Sequence, residues 1–379
     1  MKVLHINCNY MSTALHQTMV AHLDTQGVES TVFAPVYSLG NSIITPRENV
    51  VACECFYKWD RICFYHKQKK IQRALEAKIC VKEFDLIHAY TLFTDGNSAY
   101  ELSKKYSIPY VVAVRDTDVN AFFKWRPHLR SRGAEILANA KAVFFLSPAY
   151  KEQVLSKYIP QALREYIADK SHIVPNGIDD FWFENCYTTR DFNKTQKLLE
   201  QKCARIIFVG RISNRKNPLT TLRAIDLLEK KGYKIEFTVV GGFENAYIKK
   251  VLLSDTRVCY AGKLTKNDVI EKYRTNDIFV MPSHTETFGL VYAEAMSQGL
   301  PVIYTKGQGF DGQFSEGEVG YSVDSHSPAA VAKGIVKAIE HYGEIARRCL
   351  EKFDKFQWAD ICKIYHSIYG EICGVQHEE

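Results

Sequence analysis

None of the eleven cysteines stands in a CxxC pair, the count is odd, and several lie inside apolar runs such as RICFY and RVCYAG. That excludes a disulfide framework and a cysteine zinc site, and implies buried free thiols in a reducing, cytoplasmic compartment. Charge of one sign is also scarce. The 49 Lys plus Arg against 43 Asp plus Glu leave only +6, too weak a field for a nucleic-acid binder but compatible with an anionic substrate or lipid surface. A long apolar opening is missing as well: MKVLHINCNY has one Lys, and its apolar stretch is broken by His5 and Asn7. It is too short for a signal-peptide core or a membrane span and reads as a first strand. Short-period repeats and low-complexity tracts are missing too.

What is present is a chain of 379 residues, 46% hydrophobic, long enough for two domains of about 100–200 residues each. Short apolar runs recur at Lys2 to Ile6, Ser30 to Phe33, Asp85 to Ala89, Tyr110 to Val114, Ala142 to Leu146 and His172 to Val174, with helix-like stretches such as 13–24 and 98–106 between them. Strands alternating with helices predict an α/β, doubly wound, parallel sheet. The rhythm restarts at Ala204 to Val209 and continues through 235–240, 257–260, 277–281, 301–304 and 320–323. Between the halves the polar stretch 178–202 reads as a mobile hinge. The expected domains are 1–180, 181–355 and a terminal helix in 356–379 that packs back on the first domain. In that helix Trp358, Ile361, Ile364 or Tyr365, and Ile368 recur at helical spacing.

The densest chemical signal is DIFVMPSHTETFGLVYAEAMSQGLPVI, 277–303. A strand ends at Pro282, a polar loop follows, and a helix opens near Phe288 and stops at Gly299. Free backbone N–H groups of Thr287, Phe288, Gly289 and Leu290 then leave the carboxyl edge of the sheet, with Gly289 permitting close approach. Such a helix start suits a phosphate. Glu294 lies in an apolar helix where an unpaired carboxylate is costly, and ribose hydroxyls would satisfy it; a Lys or Arg pair on the helix surface is the alternative. Glu286 would face the far side of the phosphate, toward a sugar. In IIFVGRISNRKNPL, Gly210 ends a strand, and Arg211 and Lys216 follow it as the fork and point charge suited to a diphosphate. Arg215 reads as solvated.

GRISNRKN, followed some seventy positions later by PSHTETFGLVYAEAMSQGLPVI, resembles the paired signatures of the family-4 retaining glycosyltransferases of GT-B fold. FDLIHAY, IPYVVAV, FLSPAYKE, VPNGID and GKLTKNDVIEKYRTNDIFVMPS follow in the family's order and carry the likeness over nearly the whole chain. The resemblance implies two Rossmann-like domains facing an interdomain cleft. It implies a nucleotide-diphosphate sugar, UDP- or GDP-linked, as donor substrate, with no separate cofactor. Arg211 and Lys216 would neutralise the diphosphate, Glu294 bind the ribose and Glu286 contact the transferred sugar. Gly241, Gly242, Lys263 and Leu264 would form the wall at the base. Two departures stand in the first half. NCNYMSTALH replaces the family's Gly-Gly loop, and VVAVRDTD puts Arg115 where many members carry His, with Asp116 retained. Arg115 is expected to project from a strand end toward the acceptor, or else to pair with Asp116 or Asp118.

No DxD-like pair stands in a suitable loop, so no metal is expected. The acceptor class implied is a saccharide or lipid-linked sugar, as in surface polysaccharide or glycolipid synthesis. Residues 56–78, FYKWDRICFYHKQKKIQRALEAK, alternate aromatics with Lys and Arg; they suit peripheral contact with an anionic membrane, or a solvated helix face. A nucleotide-sugar epimerase on the same fold and a non-catalytic sugar-nucleotide binding module are the competing readings. The spacing of Glu286 and Glu294 favours transfer.

Overall fold

The computed structural model describes residues 1–41 and 47–374. They divide into two compact units. One comprises residues 1–146 and 150–177 with the segment from Trp358 on, the other 147–149 and 178–357.

In the first unit seven parallel strands are β1 (Lys2–Ile6), β2 (Glu29–Val36), β3 (Val50–Glu54), β4 (Leu86–Ala89), β5 (Tyr110–Val114), β6 (Ala142–Phe145) and β7 (Ser171–Ile173). Their order is β3-β2-β1-β4-β5-β6-β7. The winding therefore reverses between β1 and β4, where side chains at strand ends are left free to meet a ligand. Central strands such as YVVAV are buried along their whole length, because helices cover both faces. One face packs on Ile71, Leu75, Phe93 and Phe123. The other packs on Met19, Val20 and Leu23 together with Trp358, Ile361, Tyr365 and Ile368. The last four come from the helix Trp358–Cys373, in which Tyr365 is buried and Ile364 faces solvent. A Cβ on Gly177 would lie 2.5 Å from the Trp358 indole, so the helix seats directly on that glycine.

The second unit has β8 (Cys203–Val209), β9 (Lys234–Val240), β10 (Val258–Gly262), β11 (Ile278–Val280), β12 (Val302–Thr305) and β13 (Gly320–Val323), in the order β10-β9-β8-β11-β12-β13. Its reversal lies between β8 and β11, which places both chemical motifs of this half at one switch point.

Three expectations change. The polar stretch 178–202 is not a loose connection: it is built into the second unit, where Arg190, buried, donates to the carbonyls of Tyr273, Asn276 and Gln298 and to the Tyr342 hydroxyl. Most of its polar side chains face solvent, and Arg190 is the buried exception. Strand β3 has no clear signature in the sequence. And of the eleven cysteines only Cys53, Cys349 and Cys362 are buried, whereas Cys63, Cys80 and Cys259 are exposed; an apolar neighbourhood in sequence does not bury a thiol at a turn or an edge.

Candidate active site

The switch point of the second unit is assembled by two loops. After β8, Gly210 takes φ +145°, and a Cβ on Gly241, itself at φ +139°, would overlap the Gly210 carbonyl. Only glycine lets the ends of β8 and β9 come so close. Asn217, left-handed at φ 57°, caps the helix Pro218–Glu229, and its amide donates to the carbonyls of Pro282 (2.9 Å) and Ser325 (2.7 Å). That bond pair ties the Lys216 loop to the loops after β11 and β13. Lys216 Nζ in consequence meets Glu286 Oε2, both largely buried. Glu286, 5% exposed, also accepts from Ser283 Oγ at 3.2 Å, and its backbone N–H donates to Gln308 Oε1 at 3.0 Å.

The helix after this loop runs Leu290–Ser297, two residues later than the sequence suggests, because Gly289 is left-handed at φ +82° with the Tyr292 ring packed against the place of its missing Cβ. Tyr292 is fixed in turn by its hydroxyl bond to Met281 O, 2.6 Å. Among the described residues the backbone N–H groups of Thr287, Phe288, Gly289 and Leu290 have no hydrogen-bond partner. Four free donors at a helix start are an arrangement that can receive an anion. One turn further on, Glu294 is half-buried, and its carboxylate makes no hydrogen bond or ion pair among the described residues. Burial pushes its pKa up to about 7, against the pull of Lys266, which is itself bonded to Asp179 at 2.6 Å. The surface-pair alternative for Glu294 is thereby set aside.

Arg211 is not gathered with Lys216 on one partner. It is 75% exposed and pairs with Glu244 at 3.1 Å. Arg215 is exposed but not merely solvated: its Nη1 donates to Thr285 O at 3.1 Å. Lys263 is exposed, with its side chain crossing the face of Gly242, and Leu264 is half-buried beside it. Sequence reasoning missed Ser283, Gln308 and Asn217, and also Gly309, whose missing Cβ makes room for the Thr287 carbonyl. The glycine density of KGQGFDG and the Asn-Pro before a helix were the available signals.

The family description "Glycosyl transferases group 1" matches residues 189–355, and "Glycosyltransferase Family 4" matches 17–180. The chain belongs to the family-4 glycosyltransferases. It is 25% identical over 292 residues to a D-inositol 3-phosphate glycosyltransferase of Paenarthrobacter aurescens, covering 71% of this chain and 69% of that protein. To an uncharacterized glycosyltransferase of Methanocaldococcus jannaschii it is 22% identical, over 88% and 86% of the two chains. Among solved structures, sucrose-phosphate synthase from Thermosynechococcus elongatus superposes with a TM-score of 0.76 at 16% identity, over 99% of this chain and 100% of that one. Anabaena HepE in complex with UDP and glucose gives 0.67 at 16% identity, over 98% and 100%. The fold is GT-B.

In the first unit of this glycosyltransferase Arg115 follows β5, but it does not project freely: it is 7% exposed. Its guanidinium donates to Asn176 Oδ1 (2.8 Å) and Tyr90 O (3.3 Å), and the Tyr365 phenol packs against it as a further polar neighbour. Neither expected aspartate pairs with it. Asp118 accepts from the backbone N–H groups of Leu92, Phe93 and Arg115, and Asp116 accepts from Asn120 and Tyr150. Burial pushes Asp118 up to about 6. Besides Asp118, the titratable groups that sense the guanidinium include neutral ones: burial holds His16 and His88 well below the usual imidazole range and pushes the Tyr365 phenol up to about 12. In the loop after β1, where the family's Gly-Gly loop is missing, Cys8 N–H donates to Asp95 Oδ1 at 3.0 Å. Among the described residues no helix is long and apolar enough to cross a membrane.

Proposed function

We propose that this glycosyltransferase moves a sugar from a UDP- or GDP-sugar to a saccharide or lipid-linked acceptor with retention at the anomeric carbon, needing neither metal nor cofactor. The observation that carries the reading is the single helix start holding four free N–H donors, the buried Lys216–Glu286 pair ahead of it and the unpartnered Glu294 behind it. A diphosphate on those donors puts a ribose within reach of Glu294 and the sugar beside Glu286. As the bond from the anomeric carbon to the diphosphate breaks, its electron pair leaves with the phosphate, and preorganised donors stabilise that charge. Lys216 holds Glu286 in place. Arg211 can exchange Glu244 for phosphate at little cost, since an exposed pair contributes only ~0–1 kcal/mol. Gly210, Gly241, Lys263 and Leu264 supply the wall at the base.

The acceptor is assigned to the carboxyl end of β5, where Arg115, its guanidinium enclosed, holds Asn176 and the Tyr90 carbonyl in place. Exposed Tyr57, Trp59 and Ile62, with the basic residues between them, support contact with an anionic lipid surface on the cytoplasmic side and so a role in surface polysaccharide or glycolipid synthesis. The test is a thermal-shift panel of uridine, guanosine and adenosine diphosphates with their sugars, in which a ligand at 100 times its Kd adds about 2.7 kcal/mol. One base should dominate. Absence of a shift with all three would overturn the donor site, and loss of transfer in EDTA with rescue by manganese would overturn the metal-free reading.

A further inference from the structure

A cavity of about 710 Å³ opens in the first unit beside the helices Phe64–Lys78, Thr94–Tyr106 and Arg130–Asn139. None of the residues assigned to transfer lines it. Its floor includes Gln68, 4% exposed, whose Oε1 accepts from Asn97 Nδ2 and Ser98 Oγ, each at 3.3 Å. Those two bonds fix the amide orientation and leave the buried Nε2 without an acceptor. One turn along, Gln72 Nε2 donates to Glu76 at 3.2 Å, and its buried Oε1 has no donor. Gln68 and Gln72, both lining residues, thus carry one unused donor and one unused acceptor on the same helix face, each just beneath the accessible surface.

Its charges are unbalanced in the same direction. Glu76 is taken by Lys105 and Glu101 by Arg132. Lys69, Arg73 and Lys104 also line the cavity, and none forms an ion pair among the described residues. Tyr65, half exposed, presents a ring at the edge. We propose that this cavity is a second binding site, distinct from the transfer site, for an anionic sugar or polyol: a phosphate or carboxylate on Lys69, Arg73 and Lys104, with hydroxyls on Gln68 and Gln72. A sugar phosphate is a better match than a bare phosphate, because its hydroxyls, which both donate and accept, are set apart from its charge. The same chemistry occurs free, as a sugar phosphate or acidic saccharide, and as a phosphoinositol headgroup.

The experiment is calorimetric titration of the full chain with glucose 6-phosphate, glucuronic acid and inorganic phosphate, each with saturating uridine or guanosine diphosphate to occupy the donor site. Glucose 6-phosphate should bind at least fivefold more tightly than phosphate. The surface double variant Lys69→Ala/Arg73→Ala should weaken it at least tenfold and leave nucleoside-diphosphate affinity unchanged. Gln72→Met, which keeps the fold's buried bonds at Gln68, should weaken glucose 6-phosphate at least threefold and inorganic phosphate not at all. Wild-type affinity in the double variant, or equal binding of phosphate and sugar phosphate, overturns the proposal. Co-sedimentation with phosphatidylinositol and phosphatidylglycerol vesicles separates the sources. Competition by glucose 6-phosphate against phosphatidylinositol vesicles alone identifies the headgroup as a ligand of the same site; vesicle binding lost in the double variant, with no heat from either soluble sugar, overturns a saccharide site in favour of a lipid surface.

Discussion

At the scale of single residues, Glu294 is held where its charged form is unwelcome and its use is elsewhere. Its pKa of about 7 lies above the ordinary carboxylate value. The folded state therefore binds the proton more tightly than the unfolded one, and this residue's contribution to stability falls as pH rises from about 4.5 toward 7. Glu294→Gln removes the charge but not the shape. It should leave stability unchanged near pH 4 and raise it by about 1–3 kcal/mol at pH 7.5, the order of relieving a buried unpaired group, measured by urea unfolding at both pH values. The same variant should weaken nucleoside and nucleotide-sugar binding alike, whereas Glu286→Gln should spare the free diphosphate and lower turnover. Equal loss of diphosphate affinity in both would show the two roles to be wrongly divided. For Arg115, replacement by Ala should lower turnover at least tenfold, about 1.4 kcal/mol of transition-state stabilisation, with nucleoside-diphosphate affinity unchanged. Arg115→His should retain part of the activity. Steady-state kinetics indistinguishable from wild type in both would leave Arg115 holding Asn176 and Tyr90 and nothing more.

At the scale of elements, the turn into the helix Leu290–Ser297 depends on one left-handed residue. Gly289→Ala would meet both the unfavourable φ of +82° and the Tyr292 ring. A cost of ~1–3 kcal/mol and a loss of diphosphate affinity are expected together, read by thermal unfolding and by titration; intact affinity would mean that the four N–H donors do not bind the phosphate. The existence of that helix, its stop at Gly299 and its Glu were legible from the sequence, because apolar periodicity and glycine punctuation are local. Tyr110–Val114 and Gly320–Val323 read correctly as strands for the same reason. Val50–Glu54 did not: VVACE is short, lies at the edge of the sheet and lacks alternation. Pairings across distance were equally hidden. Lys216 and Glu286 are 70 residues apart, so each stood out within its own motif but their mutual bond did not. The neutral groups around Arg115 come from β4, the helix Ala14–Thr25 and the helix Trp358–Cys373, and no motif in the sequence joins those segments.

At the scale of the whole molecule, the first unit is closed by residues from Trp358 on, which lie beyond all of the second. Tyr369 donates or accepts at His88 Nδ1 (2.5 Å), Cys362 Sγ reaches Met19 O (3.5 Å), and Gln26 Nε2 donates to Ala359 O (2.9 Å). Trp358→Ala removes the largest of these side chains from a fully packed site, and a loss of about 3–5 kcal/mol is expected, read as a lower urea midpoint. A change under 1 kcal/mol would mean that the helix contributes little to that core.

Seen as an order of manufacture, the chain leaves its opening domain unfinished while the intervening domain is made. A ribosome that has completed β1 through β7 has produced a sheet with Met19, Val20, Leu23 and the β1–β4 face still open to water, and at about 5–20 residues per second the covering helix arrives roughly ten to forty seconds later. The second unit, contiguous apart from three residues, can fold inside that interval; the first cannot complete its core until the helix clears the exit tunnel. Nascent chains stalled before Trp358 should therefore yield a protease-resistant second unit and a protease-sensitive first one, and the greatest exposure to chaperones or to aggregation belongs to the half of the enzyme that was synthesised first.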